Sequence, residues 1–225
     1  RSSRRSRHSN ARSATSARVT PSKVARFCRY LEKQLKLDLS DQRILELGAA
    51  YGYFVRHLAE RGALVYGLDV SKYAVFRARS EAPQWADRFI WQSADESYPF
   101  EDETLDLIFS IDTLEHLERP RAVLRECQRV LKPGGLFVAV TPNRRGEGWS
   151  HLLFGPDLDP THVNIMVAEE VKELLGEYFS RVRVSHFNLE SAYSNQWLFR
   201  LGGRLLNPLL GPFRLTRHLF AWAEK

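Results

Sequence analysis

Four residues within seven positions carry the most specific chemistry in the sequence: Glu46, Gly48, Ala50 and Gly52, in ILELGAAYGYF at 44–54. The apolar run before them reads as a short buried strand and the segment after them as a helix, so the glycines occupy the turn between. Glycine there admits backbone angles closed to other residues and lets a ligand approach without a Cβ in the way. A dinucleotide turn would read G-x-G-x-x-G, its third glycine permitting close packing of helix on strand. The matching positions are Gly48, Ala50 and Tyr53, and a tyrosine in the third place argues against that ligand. Glu46 argues the same way, because a carboxylate at the strand end repels a pyrophosphate and attracts a cation such as a sulfonium amino acid.

The elements that must position this turn follow from periodicity. TPSKVARFCRYLEKQLKL predicts a helix capped by Thr20, with Pro21 at its first position and Val24, Phe27, Tyr30, Leu31 and Leu35 on one face. Strands are predicted at 43–48, 63–71, 88–93, 104–111, 135–142 and 181–187, and helices at 53–62, 72–81, 120–131 and 168–179. Strands alternating with helices at this spacing indicate crossover units, hence an α/β fold with a mostly parallel sheet covered by helices on both faces. The closing RHLFAWAEK alternates and is expected to be a final edge strand. Residues 189–216, too long for a hairpin loop, are expected to be an insertion.

Composition bounds the rest. The chain has 225 residues, 44% of them hydrophobic, enough for one domain with a core and too many for a disordered protein. No run of twenty apolar residues occurs, so no membrane-spanning helix is expected. Cys28 and Cys127 suit helices and a reducing compartment, and they are expected to be reduced packing residues. Residues 1–20 hold six arginines and no acid, accounting for the whole net charge of +6, while the remaining chain balances at 27 basic against 27 acidic residues. Such an Arg/Ser-rich segment is expected to be a disordered tail: a targeting remnant, a nucleic-acid arm or a cloning scar.

With these residues in place, the chain from about 42 onward resembles the class I S-adenosylmethionine-dependent methyltransferases. The resemblance implies a Rossmann-like fold with a seven-stranded sheet whose last strand is reversed, residues 21–225 forming one domain. It implies S-adenosylmethionine as cofactor, with Glu46, Gly48, Ala49, Tyr51 and Gly52 around its methionine part. Asp69 and Val70, in GLDVS, match the ribose position, where an acid accepts bonds from both hydroxyls. Ala94 and Asp95, in QSADES, match the adenine position, and Ile111 and Asp112 lie beside the cofactor. Ala50 replaces the commonest glycine, a change expected to narrow the turn only slightly.

Methyl transfer needs an aligned nucleophile and, when that nucleophile is protonated, a base. Asp112, Glu115 and His116 stand at i, i+3 and i+4, which places them on one face of a helical turn, and His162 follows in DPTHVN. D-x-x-E-H with a downstream histidine resembles the divalent-metal constellation of ubiquinone-biosynthesis O-methyltransferases and of small-RNA 2′-O-methyltransferases. A Mg²⁺ ion on Asp112, Glu115, His116 and His162 could orient a diol and lower its hydroxyl pKa. L-E-H-L before a proline is equally at home in metal-free members, where His162 and His116 remain candidate bases.

The 189–216 segment adds a further clue, since Ser191 to Ala223 contains four arginines and no acid among many Trp, Phe and Leu residues. A flap of this kind could touch a membrane surface, cover an apolar acceptor or pack a dimer. Trp149 and Phe154 would extend its apolar wall. The expected reaction is O-methylation of a small-molecule or lipid-like acceptor in the cytoplasm, with peripheral membrane contact through the flap. RNA 2′-O-methylation with a metal, and a non-catalytic partner subunit of methyltransferase fold, are the alternatives. A charge-neutral folded part speaks against nucleic acid, and intact Glu46, Gly48, Gly52 and Asp69 speak against a non-catalytic subunit.

Overall fold

A computed structural model describes residues 20–145, 160–187 and 218–225. Residues 1–19 of the expected 1–20 tail, the 189–216 flap, and Trp149 and Phe154 lie outside the described residues. The elements run α1 (Pro21–Leu35), β1 (Arg43–Leu47), α2 (Tyr53–Glu60), β2 (Leu64–Asp69), α3 (Lys72–Glu81), β3 (Phe89–Trp91), β4 (Leu105–Ile111), α4 (Pro120–Val130), β5 (Leu131–Pro142), α5 (Ala168–Gly176), β6 (Arg181–Phe187) and β7 (His218–Glu224). Short 3₁₀ turns cover Pro83–Arg88 and Leu114–His116.

Helix starts follow local chemistry. Thr20 caps α1 by accepting the Lys23 N–H, Pro21 fills the first position, and Lys36 ends the helix in the left-handed region at φ 53°. Ser71 caps α3 through the Ala74 N–H at 3.2 Å. The strands assemble in the order β3-β2-β1-β4-β5-β7-β6. β1 through β5 pair in parallel, and β7 runs antiparallel to both β5 and β6. The reversed last strand is therefore present, as expected of the α/β, Rossmann-like sheet.

β7 is not an edge strand, however. It lies between β5 and β6, and Leu219, Phe220, Ala221 and Ala223 are all buried. Its alternation separates two covered faces rather than core from solvent: Phe220 packs with α1, α2 and α3, whereas Leu219, Ala221 and Ala223 pack with α4 and α5. β6 takes the edge, its residues alternating between exposed and intermediate from Arg181 to His186 and ending at buried Phe187. β5 also begins earlier than its apolar run, at Leu131, because Leu131 pairs with Leu105 across an irregular step in the β4 ladder.

One core layer holds α1, α2 and α3 against the sheet and the other holds α4 and α5. Parallel strands covered in this way bring their carboxyl ends to one edge, where ligands bind in open α/β sheets.

Candidate active site

The turn after β1 is shaped by contact with two other strands. Gly48 and Ala49 both donate their N–H groups to the Leu68 carbonyl, at 2.8 and 3.0 Å, which ties the turn to the end of β2. Gly48 has φ +74°, and a Cβ there would lie 2.2 Å from Thr113 Oγ1. Gly52 has φ +70°, and a Cβ would lie 2.3 Å from the Phe89 ring. Both positions therefore require glycine twice over, for dihedral and for space. Ala50 also takes a left-handed φ, 44°, so its departure from glycine costs backbone strain rather than turn width. Its N–H donates to Asp69 Oδ2 at 2.7 Å.

Gly67 was not singled out by the sequence, although glycine inside a strand is itself a sign of close backbone approach. It pairs with Glu46 in the β1–β2 ladder, and a Cβ there would sit 2.6 Å from the Ala49 Cβ and 2.8 Å from a Val55 methyl. The close packing of turn, helix and strand that the third glycine supplies in a dinucleotide site is thus supplied from β2. That is why Tyr53 can stand where that glycine would be.

Three acids converge on this end of the sheet. Glu46 is 5% exposed, and its Oε2 has no hydrogen-bond partner among the described residues. Burial, and then the nearby Asp69 charge, hold its carboxyl well above the usual carboxylate range, against a bond from the Val55 backbone N–H. Asp69 accepts from the Ala50 and Ser71 N–H groups at 2.7 Å each, and Ser71 rather than Asp69 caps α3. A carboxylate has about four lone-pair sites, so these two bonds orient Asp69 without saturating it. Asp95 has a buried Oδ1 with no partner among the described residues, while Oδ2 lies 3.8 Å from Arg119.

These residues fit the implied cofactor. A buried, underused carboxylate at Glu46 suits a cationic amino acid, Asp69 suits two hydroxyls, and the orphaned Asp95 oxygen suits an amino donor. Val70 is 71% exposed beside Asp69, and its carbonyl accepts from Trp91 Nε1 at 3.1 Å. Ala94 is half-buried, and its carbonyl accepts from the Tyr98 hydroxyl. Tyr51 is half-buried under the Arg77 guanidinium, and Ile111 closes the end of β4.

The acceptor side departs from expectation. Asp112 has φ 48° and ends the strand, and only the three residues Leu114–His116 that follow are helical, in a 3₁₀ turn. The i, i+3, i+4 rule of an α-helix therefore does not apply, and Asp112 does not join Glu115 and His116. Glu115, His116 and His162 do come together, one ligand atom of each lying within 4.8 Å of the others. Glu115 is fully buried and bonded by Thr141 Oγ1 at 3.1 Å, and its carbonyl accepts the Val163 and Asn164 N–H groups, which brings His162 in. The His116 and His162 rings lie 4.8 Å apart. His116 Nδ1 lies 2.9 Å from the Thr161 hydroxyl and 3.1 Å from the Thr161 carbonyl, so Thr161 holds the ring whichever nitrogen carries the proton. Asp112 instead faces His218 at the start of β7, Nε2 to Oδ1 3.9 Å.

Comparison with known proteins agrees with this geometry. Residues 45–139 match the family model of a methyltransferase domain. The chain is 38% identical over 102 residues to a biotin biosynthesis bifunctional protein of Cellvibrio japonicus, a match covering 45% of this chain and 20% of that protein. It is 26% identical over 194 residues to a ubiquinone biosynthesis O-methyltransferase of Coxiella burnetii, covering 84% of this chain and 77% of the relative. A SAM-dependent methyltransferase of Archaeoglobus fulgidus shares the fold with a TM-score of 0.65 at 20% identity, over 90% of this chain and 94% of that one. Among the described residues no helix is long and apolar enough to cross a membrane.

Proposed function

Because the chain belongs to the class I S-adenosylmethionine-dependent methyltransferases, we propose that it methylates a hydroxyl group of a small or lipid-like acceptor. The observation that carries this reading is that the β1 turn with buried Glu46 and the Asp112–His218 pair both lie at the carboxyl ends of the parallel strands. Glu46 is a buried carboxylate with one oxygen unpartnered among the described residues, His116 and His162 gather at Glu115, and His218 faces Asp112. When bound, the cofactor supplies an electrophilic methyl group on a sulfonium. Glu46 would hold its cationic end, Asp69 its ribose hydroxyls and Asp95 its adenine amino group. An imidazole would then take the acceptor's proton. The likeness to an O-methyltransferase over 84% of the chain supports oxygen as the methylated atom.

A second reading rests on the Glu115, His116 and His162 cluster as a divalent-metal site. Its support is Thr161 behind His116, whose carbonyl and hydroxyl oxygens both lie within reach of Nδ1 as the outer-shell partner that a metal-ligating imidazole uses. With Asp112 turned toward His218, the set is one carboxylate and two imidazoles. That set fits a borderline transition ion better than Mg²⁺, which takes oxygen ligands. The ion would polarise an acceptor hydroxyl, and RNA 2′-O-methylation belongs with this reading.

The test supplies methyl-labelled S-adenosylmethionine and a cell extract, with and without chelator, and partitions the label. Label in organic solvent, insensitive to chelator, is the expected result. Label in precipitated RNA that disappears with chelator would replace the first reading by the second.

A further inference from the structure

We propose that His218 is the proton acceptor for the acceptor hydroxyl and that Asp112 stabilises the imidazolium it becomes; this rests on the hydroxyl-acceptor reading above. The pair is built by three strands. Asp112 leaves β4 with its N–H bonded to the Val140 carbonyl at 2.9 Å and its own φ at 48°. A left-handed conformation in a residue with a Cβ persists where the surroundings impose it, and such residues concentrate at functional sites. Next to it, Thr113 donates its hydroxyl to the Leu47 carbonyl and fills the space a Gly48 Cβ would need. Asp112 is thereby fixed at the rim of the cofactor turn, with 46% of its side chain exposed.

His218 arrives from the other direction. It opens β7, in register with Pro142 of β5 and Phe187 of β6, so it sits at the same carboxyl edge as Asp112. Only 16% of its side chain is exposed, and Nε2 lies 3.9 Å from Asp112 Oδ1. That separation is too long for a hydrogen bond and short enough for strong Coulombic stabilisation in a half-buried site. Asp112 thus acts through its field and does not take up Nε2 in a direct bond. Among the described residues, His186 on β6 and Arg144 and Arg145 after β5 lie toward the His218 end of the neighbouring strands, whereas Arg181 and Arg183 of β6 and Lys132 of β5 lie toward the other end.

In the step, the acceptor oxygen bonds to the methyl carbon as the carbon–sulfur bond breaks. Sulfur keeps that electron pair and becomes a neutral thioether, and the hydroxyl proton moves to His218. The imidazolium then gives its proton to solvent through the exposed side of Asp112.

The experiment uses the full chain with S-adenosylmethionine and two acceptor probes, catechol and 4-nitrocatechol, at pH 8, where the second is already ionised and the first is not. His218→Gln should lower kcat with catechol by about 100-fold, the scale of general-base catalysis, and with 4-nitrocatechol by less than about threefold, leaving the KM for S-adenosylmethionine unchanged. Asp112→Asn should show the same selectivity at smaller amplitude. An equal loss on both probes would mean a structural role and overturn the proposal. His218→Asn serves as the second variant if the first fails to fold, and should give the same split. If the wild type methylates neither probe, the hydroxyl-acceptor reading falls and takes this proton step with it; a wild type active on both probes, with unselective variants, overturns this proposal alone.

Discussion

The end of the sheet proposed to hold the cofactor and the end proposed to hold the acceptor are assembled differently. Glu46, Gly48, Ala50, Gly52 and Asp69 lie within 24 residues, at the ends of two consecutive strands, and are held mainly by backbone groups of the turn, of the helix after it and of the β2 end. Asp112, Glu115, His116, His162 and His218 span more than 100 residues and meet only through long-range contacts, such as Glu115 with Val163 and Asp112 with His218. Local turns define a site by spacing. A site made of distant residues is defined by which strands become neighbours, and it can differ between relatives while the first stays the same.

The comparison can be broken most forcefully at Asp69. Asp69→Ala should weaken cofactor binding about 100-fold or more, because two charge-assisted hydrogen bonds of roughly 1.5–3 kcal/mol each are lost; a calorimetric dissociation constant within threefold of wild type would remove its ribose assignment. Gly48→Ala should come next. It adds a Cβ 2.2 Å from Thr113 Oγ1 at φ +74°, so overpacking and left-handed strain should together cost about 2–5 kcal/mol, read from urea unfolding. Unchanged stability would show that the β1–β4 contact at Thr113 yields freely.

On the acceptor side the expected effect is catalytic. If the second, metal-dependent reading holds, His162→Ala should slow turnover roughly 10-fold or more with the cofactor dissociation constant unchanged. Activity equal to wild type, with and without chelator, would exclude it as base and as ligand.

Glu46→Gln sharpens the electrostatic contrast. The Glu46 carboxyl binds its proton more tightly in the folded protein than at its ordinary value of 4.5. The stability this contributes to the ligand-free protein is full below that value and lost as pH rises through the raised one. The variant should therefore unfold at a higher temperature than wild type at pH 8 without cofactor, yet bind the cofactor less well.

The smallest effect expected is at the cysteines. Burial pushes both thiols up to about 12, so neither Cys28 nor Cys127 should react with iodoacetamide in the native protein at pH 8. Rapid labelling would mean that one core layer opens readily.

Much of the fold was legible because hydrophobic period tracks local conformation. Thr20 and Pro21 announced α1, and the run ILEL announced β1. β7 misled for a physical reason: the alternation of LFAWA separates two buried faces, and only strand order tells a central strand from an edge. Asp112, Glu115 and His116 misled in a related way. Their spacing matches one face of an α-helix, but the positive φ of Asp112 breaks the helix before it forms. His218 gave no signal beyond being a histidine, since its partner is 106 residues away.

By itself the sequence determined the glycine turn after β1, because glycines, an acid and a following helix act through dihedrals and contacts confined to a few residues. It determined the alternation of strands and helices as well. Tertiary structure alone decided that Gly67 supplies the close packing, that β7 lies between β5 and β6, and that Asp112 faces His218 while Glu115 gathers His116 and His162. Those outcomes depend on strand order and on burial from both faces, which arise when separate segments compete to cover one sheet and which no local window contains.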